Sequence, residues 1–256
     1  MRRYWIEPKN VTGELVNFSG DLFHHIFEVC RQDMGSKFEV LLNGKAYLVE
    51  AIEILKKSAT ARIIEERVVA TLPEPYLKLA ICVPRFPVLE AVLEKAVEMG
   101  VHTVQLLTSD YSFIKYSEKI SENKWDRWQK IIVSATQQCG RGELMTLVEP
   151  ISLKKFVDGM DPNLRSLCLF GYEGDEVVTL QDFLRPKVAE RITDKWADAW
   201  VIVGGEGGFS LQEAQTLQQK GIQPVTIGDQ ILRVETACIA LISVLKYELG
   251  LMRKNK

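Results

Sequence analysis

The chain is predicted to be an α/β protein in two parts, a small N-terminal β-barrel over residues 1–72 and a larger α/β domain over residues 73–256. Three observations predict it. Before residue 72, apolar and polar positions alternate at strand spacing with little helical pattern. Thr71-Leu-Pro-Glu-Pro75 then interrupts the pattern with two prolines, the composition of a linker. After it, short apolar strands alternate with amphipathic helices, the rhythm of a parallel sheet covered on both faces.

In the N-terminal part, Phe38, Val40 and Leu42 share one face of an alternating run. Asn43-Gly44 follows, the pair that a tight hairpin favours because both residues accept positive φ. Tyr47–Leu55 and Ala59–Val68 continue as strands rich in branched side chains. One short helix is expected near His24–Arg31, with Asp21 as its cap.

In the second part, Lys78–Val83 reads as a strand and Val88–Met99 as a helix. That helix places Leu89, Val92, Leu93, Ala96 and Val97 on one face and stops at Gly100. Val101–Leu107 is a strand, Lys124–Gln138 a helix, and Leu164–Phe170 and Trp200–Val203 are strands. Ser210–Lys220 is a helix opened by the capping box Ser210-x-x-Glu213. Val225–Ile227 is the last strand, and Thr236–Leu249 a closing helix ended by Gly250. Apolar residues run almost completely round that last helix, from Ala237 to Leu245. Such a helix requires cover on every side. Either a second subunit or the interior of a large domain would provide it.

Composition narrows the function. With 46% hydrophobic and 26% charged residues the chain has the make-up of a soluble globular protein. Its net charge of −2 gives no general attraction for nucleic acid, so any RNA contact rests on local clusters. Arg2 and Arg3 beside Tyr4 and Trp5 form one cluster. Lys115, Lys119, Lys124, Arg127 and Lys130 form another, which a solvated helix face explains equally well. The N-terminus lacks the apolar core of a signal peptide, and no apolar run is long enough to span a membrane. The five cysteines are scattered and never in CxxC spacing, which argues against disulfides and zinc and for a reducing cytoplasm. The three histidines, His24, His25 and His102, have no partners at metal or catalytic spacing, and no metal is expected.

Three segments at strand ends carry the candidate chemistry. Val203-Gly-Gly-Glu-Gly-Gly-Phe-Ser210 joins a strand to a capped helix, and its glycines allow a ligand to approach the backbone. It is neither a Walker A loop nor a dinucleotide fingerprint. Its one carboxylate, Glu206, suits a cationic or hydroxyl-bearing ligand better than a phosphate. Leu169-Phe-Gly-Tyr-Glu-Gly174 and Ile227–Ala237 are the other two. If all three follow strands of one parallel sheet, they line one pocket at its carboxyl edge. Arg233 and Glu235 stand just before the most apolar helix, as functional groups or as a structural ion pair.

Taken in order, five blocks resemble the RsmE family of 16S ribosomal RNA uridine-N3 methyltransferases, within the knotted SPOUT class. His24–Arg31 is similar to its HHL-x-x-VLR motif, Leu93–Val101 to QKATELGV, and Ala135–Arg141 to AxEQSxR. Gly204–Ser210 resembles GPEGGFS and Leu232–Ala237 resembles LRTETA; these two are the most specific. The resemblance implies a PUA-like RNA-binding barrel and a SPOUT domain tied in a trefoil knot, a feature no pattern argument would propose. It implies a homodimer acting on 16S rRNA in the small ribosomal subunit. S-adenosyl-L-methionine would be held by Phe170, Gly171, Gly204, Glu206, Gly207, Gly208, Ile227, Gly228, Ile231, Leu232, Thr236 and Ala237.

Methylating N3 of uracil removes a proton from its pairing edge, so the target must be unpaired or flipped. Arg233 is the candidate to stabilise the charge that develops on the neighbouring oxygens, and Glu235 to orient Arg233 or accept the proton. Arg2, Arg3, Arg31, Lys95 and Arg141 are the candidate RNA contacts. The chain departs from the family at Gly205, which replaces a proline, at Tyr111, which replaces an arginine, and at Gln137 and Met145. These departures leave two other readings open: an inactive RNA-binding protein of this fold, or an enzyme acting on another RNA.

Overall fold

The computed structural model describes residues 1–115, 120–160, 166–174, 177–189 and 196–252. Lys119 of the basic cluster and the first residues of the strand expected from Leu164 lie outside that set. The chain divides into two compact units, Met1–Thr71 with Val133–Leu144, and Leu72–Ile132 with Met145–Lys256.

The first unit is built on a six-stranded mixed sheet in the order β1-β4-β5-β6-β3-β2. Its strands are β1 (Arg3–Trp5), β2 (Val11–Thr12), β3 (Leu15–Ser19), β4 (Lys37–Leu42), β5 (Lys45–Ile54) and β6 (Ser58–Val68). Asn43 and Gly44, at φ 44° and 80°, make the expected two-residue turn, and Leu42 pairs with Lys45 across it. Phe38 and Val40 point into a core with Tyr4, Phe18, Phe23 and Phe27. Leu41, on the opposite face, is also buried, against Ala46, Val69 and Trp5. The short helix starts earlier than expected. Helix α1 is Gly20–Phe23, and a π-helical turn, His24–Val29, continues it. Its N-cap is Ser19 rather than Asp21.

Val133–Leu144 groups with this unit, although a simple cut at the linker assigns it to the second. The cause is local. The Gly44 N–H donates to the Gly142 carbonyl at 2.6 Å, and Gly142 packs so close to Val69 that a Cβ would meet it at 3.0 Å.

The second unit contains a seven-stranded parallel sheet in the order β11-β13-β10-β12-β7-β8-β9. The strands are β7 (Tyr76–Cys82), β8 (Thr103–Thr108), β9 (Thr146–Ser152), β10 (Ser166–Gly171), β11 (Val178–Thr179), β12 (Asp198–Val203) and β13 (Gln223–Thr226). Helices α2 (Phe86–Glu98), α3 (Glu122–Cys139), α4 (Leu153–Asp158), α5 (Leu180–Ala189) and α6 (Leu211–Gln219) lie between them, α3 running on into the segment that groups with the first unit, and α7 (Val234–Glu248) follows the last strand. Helix α2 buries the five residues its periodicity selects. The short elements β9, α4, β11 and α5 carry no strong periodic signal, and sequence pattern alone passes over them. Pro150 sits within β9, where an edge strand tolerates the missing N–H.

The strand order positions the site. From β7 the chain runs outward through β8 to β9, then returns so that β12 lies against the other side of β7, with Val203 paired to Ile81. The connections reverse direction at β7 and β12, and in parallel α/β sheets a crevice opens at the carboxyl ends of such strands.

Helix α7 differs from its sequence expectation. It buries Val234, Cys238, Leu241, Ile242 and Leu245, while Ile239, Ala240 and Val244 are only half-buried and Tyr247 is exposed. Within one chain it is therefore covered on one side.

Candidate functional site

A cavity of about 670 Å³ opens at the carboxyl ends of β7, β12, β10 and β13, four neighbours in the sheet. All three glycine-rich segments reach it. Gly171–Gly174 follows β10, Gly204–Gly208 follows β12, and Thr226 and Ile227 with Gln230–Val234 follow β13. Ala237 and Leu241 of α7 form an apolar part of its wall.

The glycine loop is shaped by contacts that permit no side chain at one position and accept one at the next. A Cβ on Gly204 would lie 2.7–2.9 Å from the backbone of Gly208, so the loop folds back on itself only with glycine there. The fold-back is closed by the Gly208 N–H donating to the Gly205 carbonyl at 2.9 Å, with Gly208 at φ 67°. A Cβ on Gly205, by contrast, would meet its neighbours at 3.5 Å or more, ordinary contact distance. Helix α6 leaves the loop with its capping box complete. Ser210 N–H donates to Glu213 Oε2 at 2.9 Å, and Glu213 N–H to Ser210 Oγ at 3.3 Å.

The loop is tied to its surroundings by carboxylates. Glu206 Oε1 accepts from the Arg85 backbone N–H at 2.9 Å, joining the loop to the end of β7. Glu213 Oε1 accepts from the Asp110 N–H at 2.8 Å, and Ser210 Oγ donates to Asp110 Oδ2 at 2.6 Å. These two bonds dock the segment after β8 onto the start of α6. Under the loop lies the Cys82 thiol, whose pKa burial pushes up to about 12, so it stays protonated and chemically quiet.

Of the predicted cofactor residues, Gly171, Gly204, Glu206, Gly207, Gly208, Ile227, Ile231, Leu232 and Ala237 line the cavity. Phe170 does not. It is fully buried behind the wall, edge-on to Phe209 at 5.7 Å. Its alternation along β10 turns it into the core, one residue before the chain reaches the cavity. Gly228 lines a second cavity of about 590 Å³, bounded also by Leu180, Val244, Tyr247 and Met252. Thr236 is exposed on α7 outside the first cavity.

Arg233 and Glu235 both line the cavity. Helix α7 begins two residues earlier than its pattern suggests, which makes Arg233 the N-cap and puts Glu235 in the first turn. Among the described residues the two form no ion pair with each other, as residues two apart at a helix start do not face one another. The structural ion pair is thereby set aside. Tyr172, Glu173 and Gln230, within two of the candidate segments, line the same cavity, as does Arg85, which sequence reasoning does not single out. Arg85 had a signal: it stands three residues beyond the end of β7, at the edge where such sheets bind ligands.

Four of the five predicted RNA contacts, Arg2, Arg3, Arg31 and Arg141, lie in the first unit, and Lys95 lies in the second. Arg2 donates to the Cys30 carbonyl at 2.5 Å, and Arg3 Nε to Glu39 Oε2 at 2.8 Å. Arg31 is exposed with φ 54°. Arg141 is largely buried, and that burial lowers its pKa against the opposing charge of Glu143. Lys95 lies on α2 between Glu94 and Glu98, at 3.1 and 3.0 Å. Among the described residues, no group of histidine, cysteine and carboxylate side chains is arranged to hold a metal ion, and no helix is long and apolar enough to cross a membrane.

A parallel α/β domain with a cavity walled by strand-end backbone at its carboxyl edge defines a small-molecule-binding enzyme domain rather than a structural module. The chain belongs to the RNA methyltransferase domain family, whose model matches residues 72–246. It is 26% identical over 231 residues to the ribosomal RNA small subunit methyltransferase E of Aquifex aeolicus (strain VF5), covering 90% of this chain and 93% of that protein. It is 25% identical over 260 residues to the protein of the same name in Bacillus subtilis (strain 168), spanning the whole of both. Its fold is similar to the crystal structure of a ribosomal RNA small subunit methyltransferase E from Neisseria gonorrhoeae bound to S-adenosyl methionine. There the TM-score is 0.80 at 26% identity, over 96% of this chain and 97% of that one.

Proposed function

We propose that the chain transfers a methyl group from S-adenosyl-L-methionine to N3 of an unpaired uridine in 16S ribosomal RNA, within the small ribosomal subunit in the cytoplasm. The observation that carries this reading is the convergence of three strand-end loops, with Arg233 and Glu235, on one cavity. Relatives named for this activity and a neighbouring structure with the cofactor bound support it.

The residues present fit the cofactor. The cavity has the size of a small-molecule site. Val225, Ala237 and Leu241 offer apolar wall for an adenine ring, and exposed loop backbone offers hydrogen bonds to its edges. Glu173 and Glu235 provide negative charge for a ligand that carries a sulfonium and an ammonium group, while Glu206 holds the loop that walls the cavity. Bound there, S-adenosyl-L-methionine supplies an electrophilic methyl group.

The chain's own residues then do the rest. Arg233, at the N-terminus of α7, stabilises negative charge on the uracil oxygens as N3 loses its proton, and the helix dipole adds to that field. Glu235 orients the guanidinium or accepts the proton. Arg85 stands at the end of the neighbouring strand as a second cation on the same cavity.

The half-covered apolar side of α7 supports a homodimer, with Val244, Tyr247 and the second cavity beside the subunit contact. The first unit is read as a PUA-like RNA-binding domain. The segment from Ile227 to Val234 is read as part of the knot, since Ile227 and Gln230–Val234 line the same cavity as the glycine loop.

The test is mass mapping of 16S rRNA from a strain lacking its own uridine-N3 methyltransferase. Restored 3-methyluridine on supplying this chain is the expected result; an unchanged profile overturns the reading.

A further inference from the structure

The loop after β8 presents two aromatic rings to solvent on a backbone that is held at three points. Tyr111 is 53% exposed and Phe113 is 55% exposed. Between and beside them the chain is fixed. Asp110 is tied to Glu213 and Ser210 at the start of α6. Ser112 is buried, its Oγ donating within the loop to the Ser109 carbonyl at 3.0 Å. Phe113 N–H donates to the Val83 carbonyl at 2.8 Å, at the end of β7. The fixed backbone sets where the two rings lie, and each keeps about half of its surface open to solvent.

The rings also border the site. A Cβ on Gly207 would lie 2.8 Å from Tyr111 Cβ, so Tyr111 packs directly on the glycine loop whose other side lines the cavity. Phe113 stands edge-on to Phe86 at 5.4 Å, and Phe86 edge-on to Trp128 at 5.6 Å, so the platform is backed by fixed rings. The charges around it favour an anionic polymer. Lys124 Nζ lies 5.3 Å from the Phe86 ring centre and Arg85 is exposed at the cavity mouth, while the Lys115 ammonium donates to the Ser109 and Asp110 carbonyls of the loop itself. The nearby carboxylates are engaged: Asp110 with Ser210, Glu90 with Arg127, and Glu206 with the Arg85 N–H.

We propose that Tyr111 and Phe113 form a stacking platform for nucleobases of single-stranded RNA, holding the strand beside the cavity mouth. Rigid exposed rings with cations nearby are the means by which proteins hold unpaired strands without reading their sequence. The proposal rests on the RNA-methyltransferase reading above for the identity of the occupant.

The test uses the full chain and a fluorescein-labelled octauridylate, with an abasic oligonucleotide of the same length as its partner probe, read by anisotropy. In the wild type, octauridylate is expected to bind about tenfold or more tighter than the abasic strand. In Tyr111→Ala and Phe113→Ala that preference falls toward unity, Tyr111→Phe restores it, and Tyr111→Leu does not. Cofactor affinity by calorimetry stays at the wild-type value in all four, which separates a lost platform from a lost fold. If the alanine variants keep the wild-type preference for bases, the platform is overturned. Methyl transfer by the wild type is measured in parallel. Its absence overturns the functional reading, while the base preference still decides the platform.

Discussion

Glu206 accepts a hydrogen bond from the backbone N–H of Arg85 at 2.9 Å, so the only carboxylate of the glycine loop is spent on fixing that loop to the adjacent strand end. Sequence position suggests a ligand contact. The geometry gives one of its two oxygens to the scaffold, while the residue still lines the cavity.

Glu206→Ala is therefore expected to loosen the wall and weaken S-adenosylmethionine binding about tenfold, the scale of one charge-assisted hydrogen bond. Glu206→Gln keeps an acceptor for the Arg85 N–H and should stay close to wild type. Calorimetry on the two variants checks this. Equal losses in both would mean that the charge acts on the ligand and not on the loop.

Two adjacent glycines should respond differently to one methyl group. In Gly204→Ala the Cβ meets the Gly208 backbone at 2.7 Å, which cannot yield without opening the turn. Cofactor affinity should fall by about tenfold or more, with a lower melting temperature, as overpacking of a fixed backbone costs about 1–3 kcal/mol. Gly205→Ala finds ordinary contacts at 3.5–3.7 Å and should bind within about twofold of wild type. Thermal melts with and without cofactor measure both.

Arg233→Ala should bind the cofactor as the wild type does and lose methyl transfer by about 100-fold or more, the effect of removing one charge-stabilising donor. Arg233→Lys should recover part of the rate, because the charge returns without the planar fork. Single-turnover transfer on a 16S rRNA substrate is the measurement. Transfer by the alanine variant at the wild-type rate would remove Arg233 from the mechanism.

Glu39 links pH to stability in the first unit. Burial raises its pKa, but the hydrogen bonds and charges of Arg67 and Arg3 outweigh it, and the carboxyl titrates below its ordinary 4.5. Because the folded value is depressed, the stabilisation is fully present above the unfolded pKa and is lost as pH falls through the folded one. Glu39→Gln is expected to cost about 1–2 kcal/mol at neutral pH, and the gap to wild type should close as pH falls below the ordinary carboxylate range. Denaturant titrations across that range test the sign as well as the size.

Much of this chain is legible in its order of residues. The Asn43-Gly44 turn, the buried face of α2 and the Ser210–Glu213 capping box follow from near-neighbour sterics and hydrogen bonds, which the sequence states directly. The glycine loop is legible for the same reason: four glycines around one carboxylate serve no purpose in a strand or a helix. The blocks also stand in family order, and together they name the ligand.

Other features depend on the order of strands. That Arg85 faces Glu206, that Tyr111 lies on Gly207, and that Val133–Leu144 packs with the first unit are contacts between residues distant in the chain. Phe170 reads as a cofactor contact because it ends a strand beside glycines, yet the side-chain alternation of β10 turns it into the core. By itself the sequence determined which segments form strands, helices and sharp turns, because those depend on a few adjacent residues. Only the tertiary structure decided which strand ends meet, because β12 pairs with β7 across more than a hundred residues of intervening chain, from Asp198 against Tyr76 to Val203 against Ile81, and apolar burial at that range is encoded in no local period.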